Sequence, residues 1–233
     1  MLLFNHGIRF DRAQPIHLHW DGLKGWGLDR IRKTELSNLT HFPGAAGTDE
    51  AGRGPLAGPV VAAAVIVPDG FDLRGIQDSK MLDPKQRTAQ ELRIKDWCVW
   101  AVAINWTETV DRLNILHASL DAMRQAVQAL SAVPCKVLID GNQKVPGLAH
   151  PCETVVKGDQ TFACIAAASI LAKCERDRIM TRFGSEFPGY GFERHFGYAT
   201  PEHLEALSRL GPCPIHRRSF APVRELIQPS LAL

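Results

Sequence analysis

No stretch of this 233-residue sequence approaches the roughly 18 to 20 uninterrupted apolar residues of a membrane span. The opening Met1-Leu2-Leu3-Phe4 is cut short by Asn5-His6, which leaves too little for the apolar core of a secretory signal. The six cysteines form no Cys-x-x-Cys pair. That argues against a disulfide framework or a zinc ribbon, and reduced thiols in the cytoplasm are the expectation. A charge excess is missing too. A formal net charge of +2 neither demands nor excludes a polyanionic partner, so any phosphate-binding surface has to be a local patch. Absent as well is a Gly-Lys-Ser/Thr ending, which removes the Walker type of nucleotide loop.

What is present is a junction. Asp49 and Glu50 stand side by side, ahead of Gly52-Arg53-Gly54-Pro55-Leu56-Ala57-Gly58-Pro59. Adjacent carboxylates repel each other and lose hydration if buried together, so a structural core has little use for them. A hard divalent cation reverses that balance, because it seeks carboxylate oxygen. Gly52 and Gly54 let a ligand approach the backbone closely, and Arg53 adds a fixed positive charge between them. The glycine spacing is one residue too long for the dinucleotide fingerprint. Pro55 and Pro59 also remove two N–H groups that a phosphate cradle would use. The combination reads as phosphoryl chemistry, and a sharp turn behind two exposed acids is the plain alternative.

The surrounding pattern alternates strands and helices. Residues 45–51 read as a strand and 60–67 as a buried second one, closed by Pro68-Asp69-Gly70. A short helix is expected over 83–91 and a third strand over 97–106. The spacing of Val110, Leu113, Leu116, Leu120, Met123, Val127 and Leu130 predicts one amphipathic helix over 108–131. Val137-Leu138-Ile139 reads as a strand that delivers Asp140 at its end, although Asp140-Gly141 taken alone reads as a turn pair. Residues 154–156 read as a last strand, and 160–183 as a long helix. Asp159 alone would be a helix N-cap. On that helix Ser169, Lys173 and Arg176 fall on one face, by themselves a solvated polar stripe. Thr200 as N-cap, Pro201 at the first position and Gly211 past the end mark one more helix.

These blocks resemble bacterial ribonuclease HII. The likeness is carried by Gly47-Thr48-Asp49-Glu50-Ala51-Gly52-Arg53-Gly54, Asp78-Ser79-Lys80, Ile139-Asp140-Gly141-Asn142 and Lys157-Gly158-Asp159. It continues through residues 166–173, Arg176-Asp177-Arg178, Gly197-Tyr198-Ala199-Thr200 and His216-Arg217-Arg218-Ser219-Phe220, in the family's order from about Ala46 to Leu226. The resemblance implies an α/β chain with a ribonuclease H-like fold, a mixed central sheet flanked by helices, and a small helical C-terminal region. Three antiparallel strands followed by strand–helix–strand–helix are expected. The implied division is an N-terminal extension or disordered arm over 1–43, a catalytic domain over 44–184 and a substrate-binding region over 185–233.

The implied activity is endonucleolytic hydrolysis of the RNA strand of RNA–DNA hybrids, with nicking 5′ of single ribonucleotides in duplex DNA. Two Mn2+ or Mg2+ ions would be held by Asp49, Glu50, Asp140 and Asp159, leaving 3′-hydroxyl and 5′-phosphate ends. Gly52, Arg53 and Gly54 correspond to the element that reads the sugar 2′-hydroxyl, and Tyr198 to the tyrosine that packs on the sugar beside the cut. Without that motif Tyr198 would read as a half-buried core residue. Lys80, Ser169 and Lys173 become phosphate contacts, and His216, Arg217 and Arg218 electrostatic footing for the duplex. Asp177 reads as structural, paired with its flanking arginines. Phe196 and Met81 stand where basic residues are common in the family, which predicts weaker binding.

The expected protein is a cytoplasmic monomer with no membrane contact. A hybrid-binding module without activity, or a ribonuclease HIII-like enzyme lacking junction cutting, are the alternatives. The four acids speak against the first, and Gly52-Arg53-Gly54 with Tyr198 against the second. Neighbouring side chains on a strand point to opposite faces, so Asp49 and Glu50 can share one site only if the chain bends near Gly52.

Overall fold

Seven consecutive apolar residues, Val60–Ile66, suit a strand covered on both faces, and they lie in the interior of the sheet. The computed structural model describes Arg32–Lys33 and residues 38–228. Its strands are β1 (Arg32–Lys33), β2 (Thr40–His41), β3 (Ala45–Ala51), β4 (Val60–Ile66), β5 (Val99–Asn105), β6 (Lys136–Asp140) and β7 (Cys152–Val155). The helices are α1 (Pro84–Trp97), α2 (Thr107–Leu113), α3 (Ile115–Gln128), α4 (Ala163–Glu186), α5 (Phe192–His195), α6 (Pro201–Leu210) and α7 (Ala221–Ile227). β1 and β2 form a small ladder of their own. The rest make one mixed sheet in the order β5-β4-β3-β6-β7. β3, β4 and β5 pair antiparallel, and β6 runs parallel to both β3 and β7. This is the α/β architecture that the resemblance implies.

Period-2 alternation divides the core in two. Ala62, Ala64, Val137 and Ile139 face α3, where Leu120, Met123 and Val127 cover them. Ala45, Ala63, Val65 and Leu138 face the opposite way, against the mostly small residues Ala163–Ala168 of α4 and Ile94 of α1. A Cβ on Gly47 would collide with the α4 backbone at Cys164 and Ile165, so glycine is what lets that helix lie directly on the central strand.

Several boundaries depart from the sequence expectation. The helix expected over 108–131 is two helices, broken at Asn114, whose φ is +62°. The Asn114 Oδ1 accepts from the His117 N–H (3.1 Å), a cap that starts α3 and holds the turn. The apolar spacing runs on across the break because Val110 of α2 and Ala118 of α3 pack in one cluster with Val60. No helix separates β6 from β7; residues 141–151 connect them as a loop. The long helix starts at Ala163, because residues Gly158–Gln160 form a 3-10 turn first. α1 runs on to Trp97 behind a capping box of Asp83 and Gln86. α6 occupies the span marked by Thr200, Pro201 and Gly211, whereas α5 and α7 had no local signal.

Part of the expected N-terminal extension belongs to the body. Leu39 and His41 are buried, and the Thr40 N–H donates to the Thr161 carbonyl (2.7 Å) just ahead of α4. Apart from Arg32–Lys33, residues 1–37 of that extension lie outside the described residues. Among the described residues no helix is long and apolar enough to cross a membrane.

Candidate active site

The parallel pairing of β3 with β6 ends at Thr48↔Ile139, which brings the next residues, Asp49 and Asp140, side by side at the carboxyl edge of the sheet. Asp49 is buried. Desolvation, then the charges of Glu50 and Asp140, push its carboxyl well above the usual range; the Ser169 hydroxyl and the Glu50 N–H (2.7 Å) oppose them. Burial also raises Glu50, with Asp140 adding to the rise, while Arg53 at 3.4 Å works against it. Asp159 is raised by burial, then by Asp78 and by Asp140. Asp140 is thus the common neighbour of the other three acids. Its own Oδ1 accepts the Gly158 N–H (2.8 Å), and a Cβ at Gly158 would press on Ile165 and Asp140.

The bend demanded by strand geometry comes late. β3 stays in register with β4 through Ala51↔Val61, and Gly52 then turns at φ +100°. Asp140 nevertheless acts on both Asp49 and Glu50, so the two acids share one electrostatic site. Among the described residues no three His, Cys, Asp or Glu side chains close into a ready-made metal shell. The donor set still suits a hard divalent cation. It is all carboxylate oxygen, and burial together with neighbouring carboxylates makes Asp49 and Asp159 hold their protons more tightly, a cost that a bound cation would relieve.

Beside the acids, the Gly52–Pro59 loop is held from beneath by two arginines. Arg217 is fully buried and donates to five carbonyls: Gly52 (2.6 Å), Arg53 (3.1 Å), Pro55 (2.8 Å), Gly58 (3.0 Å) and Pro59 (3.2 Å). Arg176, equally buried, donates to Ala57 and Pro59 (both 3.1 Å) and to Phe196 (3.0 Å). Burial pushes both guanidinium groups down, to about 9 for Arg217 and about 10 for Arg176, so both stay charged at neutral pH. A cation at these positions satisfies carbonyls that burial would otherwise orphan. The carbonyls are drawn inward, and Arg53 is left half exposed at the rim.

These contacts correct two expectations. Arg176 is not part of a solvated stripe. Of the supposed duplex footing, His216 and Arg217 are buried and only Arg218 is exposed. Nothing local distinguishes a buried arginine from a surface one, because its acceptors come from a loop over a hundred residues away in the chain.

Tyr198 is 45% exposed, with its ring beside Gly54 and within 5.9 Å of the Arg176 guanidinium. Lys80 is exposed on a 3-10 turn capped by Asp78, whose Oδ1 accepts the Lys80 N–H (3.0 Å). Asp78, itself buried, had no assigned role in the sequence pattern. Ser169 is buried and its Oγ lies 3.0 Å from Ser79 Oγ, so it braces Asp49 from within. Lys173 pairs with Asp177 (2.6 Å) and sits 4.8 Å from the centre of the Phe196 ring. Asp177 is structural as expected, but its partners are Lys173 and Arg87 (3.2 Å) rather than Arg176 and Arg178.

Comparison with known proteins agrees with this arrangement. The family described as Ribonuclease HII matches residues 46–223. A Ribonuclease HII of Parvibaculum lavamentivorans is 53% identical over 185 residues, covering 79% of this chain and 69% of its own. One from Idiomarina loihiensis is 51% identical over 182 residues, covering 78% and 97%. Among solved structures, ribonuclease H2 from Pyrococcus horikoshii superposes with a TM-score of 0.67 at 25% identity, covering 78% of this chain and 96% of its own. The ribonuclease HII of Archaeoglobus fulgidus, solved in complex with PCNA, gives 0.64 at 27% identity, covering 80% and 98%. With a cluster of acids at the sheet edge, the pinned loop beside them and this extent of likeness, the chain belongs to the ribonuclease HII family, metal-dependent endonucleases acting on the RNA of RNA–DNA hybrids.

Proposed function

We propose that this protein also nicks duplex DNA on the 5′ side of a single embedded ribonucleotide, leaving 3′-hydroxyl and 5′-phosphate ends. The observation that carries the proposal is the Tyr198 ring, which stands where a side chain on Gly54 would meet it, beside acids that all sense Asp140. In this reading Asp49, Glu50, Asp140 and Asp159 hold two divalent ions, Mg2+ or Mn2+. Such ions, when bound, supply charge that activates water and stabilises the leaving oxygen. Ser169 and the Glu50 and Gly158 amides orient the carboxylates that receive them.

Substrate reading falls to the loop and the tyrosine. Gly52, Arg53 and Gly54 meet the sugar 2′-hydroxyl, the group that separates RNA from DNA at one position. Tyr198 packs on the adjoining sugar. Lys80 and Lys173 face the phosphates, and residues 185–228 supply the wall that carries Tyr198. Phe196 in place of a basic residue gives Lys173 an aromatic face instead of a second charge beside it.

The test is cleavage of a labelled DNA duplex carrying one ribonucleotide, with Mg2+ or Mn2+ and a chelator control. A single metal-dependent nick 5′ of that ribonucleotide is expected. Cutting confined to continuous hybrids would overturn the junction reading.

A further inference from the structure

Behind Tyr198 lies a group of three buried histidines that the chemistry does not use. His195, His203 and His216 are each less than a tenth exposed. The rings of His195 and His203 stack with centroids 4.5 Å apart, and Phe192 closes their edges. Every ring nitrogen has a partner, and the partners dictate the protons. His203 Nδ1 meets the Tyr198 carbonyl at 2.8 Å, so that nitrogen must donate. In a neutral ring its Nε2 is then bare, and it accepts from His216 Nε2, 3.1 Å away. His216 Nδ1 in turn accepts the Cys213 N–H (3.0 Å), with the Cys213 thiol at 3.1 Å. His195 Nε2 donates to the Tyr190 carbonyl (2.7 Å), and its Nδ1 accepts the Gly197 N–H (3.2 Å).

Only the neutral form of His203 and of His216 fits, since a second proton on either would set donor against donor. Burial, reinforced by the neighbouring imidazoles, pushes His216 down to about 4 and lowers His203 as well, which keeps them neutral at working pH. A polar network with every member satisfied rigidifies what it touches. Here it touches the Gly197 amide and the Tyr198 carbonyl. Gly197 is joined in turn to the active-site loop, through its carbonyl to the Leu56 N–H (2.8 Å) and by close packing on Ala57. His216 bridges to Ala57 from the other side.

We propose that His203, backed by His216, is a positioning residue that sets the Tyr198 ring against Gly54 and thereby determines the preference for a lone ribonucleotide over a continuous hybrid. The inference rests on the sugar-reading role given to Tyr198. A continuous hybrid offers a 2′-hydroxyl at every step and contacts along its length. At a single ribonucleotide the placement of one ring decides whether the sugar is seated for cleavage. The buried relay therefore acts on one substrate more than on the other, which a general packing role would not do.

The experiment measures kcat and KM on a duplex with one ribonucleotide and on a continuous hybrid, for the native protein, Tyr198→Ala, His203→Leu and His203→Asn. Loss of one buried hydrogen bond of about 1 to 2 kcal/mol converts to roughly a tenfold change. His203→Leu is expected to lower kcat on the single-ribonucleotide duplex about tenfold relative to the hybrid, with the KM for the hybrid little changed. Asn keeps an N–H near the Nδ1 position, so His203→Asn should restore most of the preference. Adding His203→Leu to Tyr198→Ala should have no further effect on that ratio.

Equal losses on both substrates in a folded His203→Leu protein, beside a selective Tyr198→Ala, would overturn the relay and leave the tyrosine reading intact. Equal losses in Tyr198→Ala would overturn both. If His203→Leu does not fold, His216→Asn, whose amide is too short to reach His203 Nε2, removes the backing link and should shift the same ratio in the same direction by a smaller factor.

Discussion

Asp140 is the residue on which the acidic site turns, since its charge acts on Asp49, Glu50 and Asp159 alike. Asp140→Asn keeps an acceptor for the Gly158 N–H, so the local backbone should survive. Turnover is expected to fall by at least about a hundredfold, with hybrid binding retained in a mobility-shift assay. Asp49 permits a separate prediction about stability. Its carboxyl is raised by burial, so the folded state binds a proton more tightly than the unfolded chain. Stability from this group is therefore greatest below the unfolded value and is lost as pH rises through the folded one. Asp49→Asn, which cannot ionise, should melt higher than the native protein at pH 7 to 8 in metal-free buffer. That gain should vanish near pH 4, and thermal melts across the range would show it. Asp49 and Glu50 were legible in the sequence because adjacent carboxylates beside Gly-Arg-Gly have little structural use. Asp140 and Asp159 alone read as a turn residue and a helix N-cap, and were singled out only by the family resemblance. Asp78 was not legible, because an acid capping a short turn looks the same whether or not another acid lies next to it.

At the scale of the element, the Gly52–Pro59 loop is defined by what lies under it. Arg217 satisfies five of its carbonyls from a buried position, and a lysine ammonium cannot span that fork. Arg217→Lys should lower the unfolding free energy by at least about 2 kcal/mol, because several buried acceptors would lose their donor. Arg218→Ala, at the exposed neighbour, should change it by less than about 0.5 kcal/mol. Urea unfolding of both variants checks the contrast. Helix boundaries show the limits of periodicity in the same way. The apolar spacing over 108–131 was real, but it reports which face is buried and not whether the backbone is continuous. Asn114 could turn the chain without disturbing it.

On the scale of the whole molecule, the site lies where the central sheet meets the C-terminal helices, and Arg176 and Arg217 tie the two through one loop. A cation bound only by the folded acids should raise the melting temperature. At about 100 times its dissociation constant it adds roughly 2.7 kcal/mol. Mn2+ is expected to stabilise the native protein on these terms and to have a much smaller effect on Asp140→Asn, as scanning calorimetry with a chelator control would show. The sequence by itself determined the strands of the main sheet and the Asp49–Glu50 pair, because alternation, turn residues and paired carboxylates are local signals, whereas Asp140 and Asp159 stood out only through the family resemblance. Only the tertiary structure decided that Asp140 is shared, that Arg176 and Arg217 are buried beneath the loop, and that three histidines stand behind Tyr198. Those facts depend on burial and on partners distant in the chain, and a residue's charge or polarity does not reveal which distant group will satisfy it.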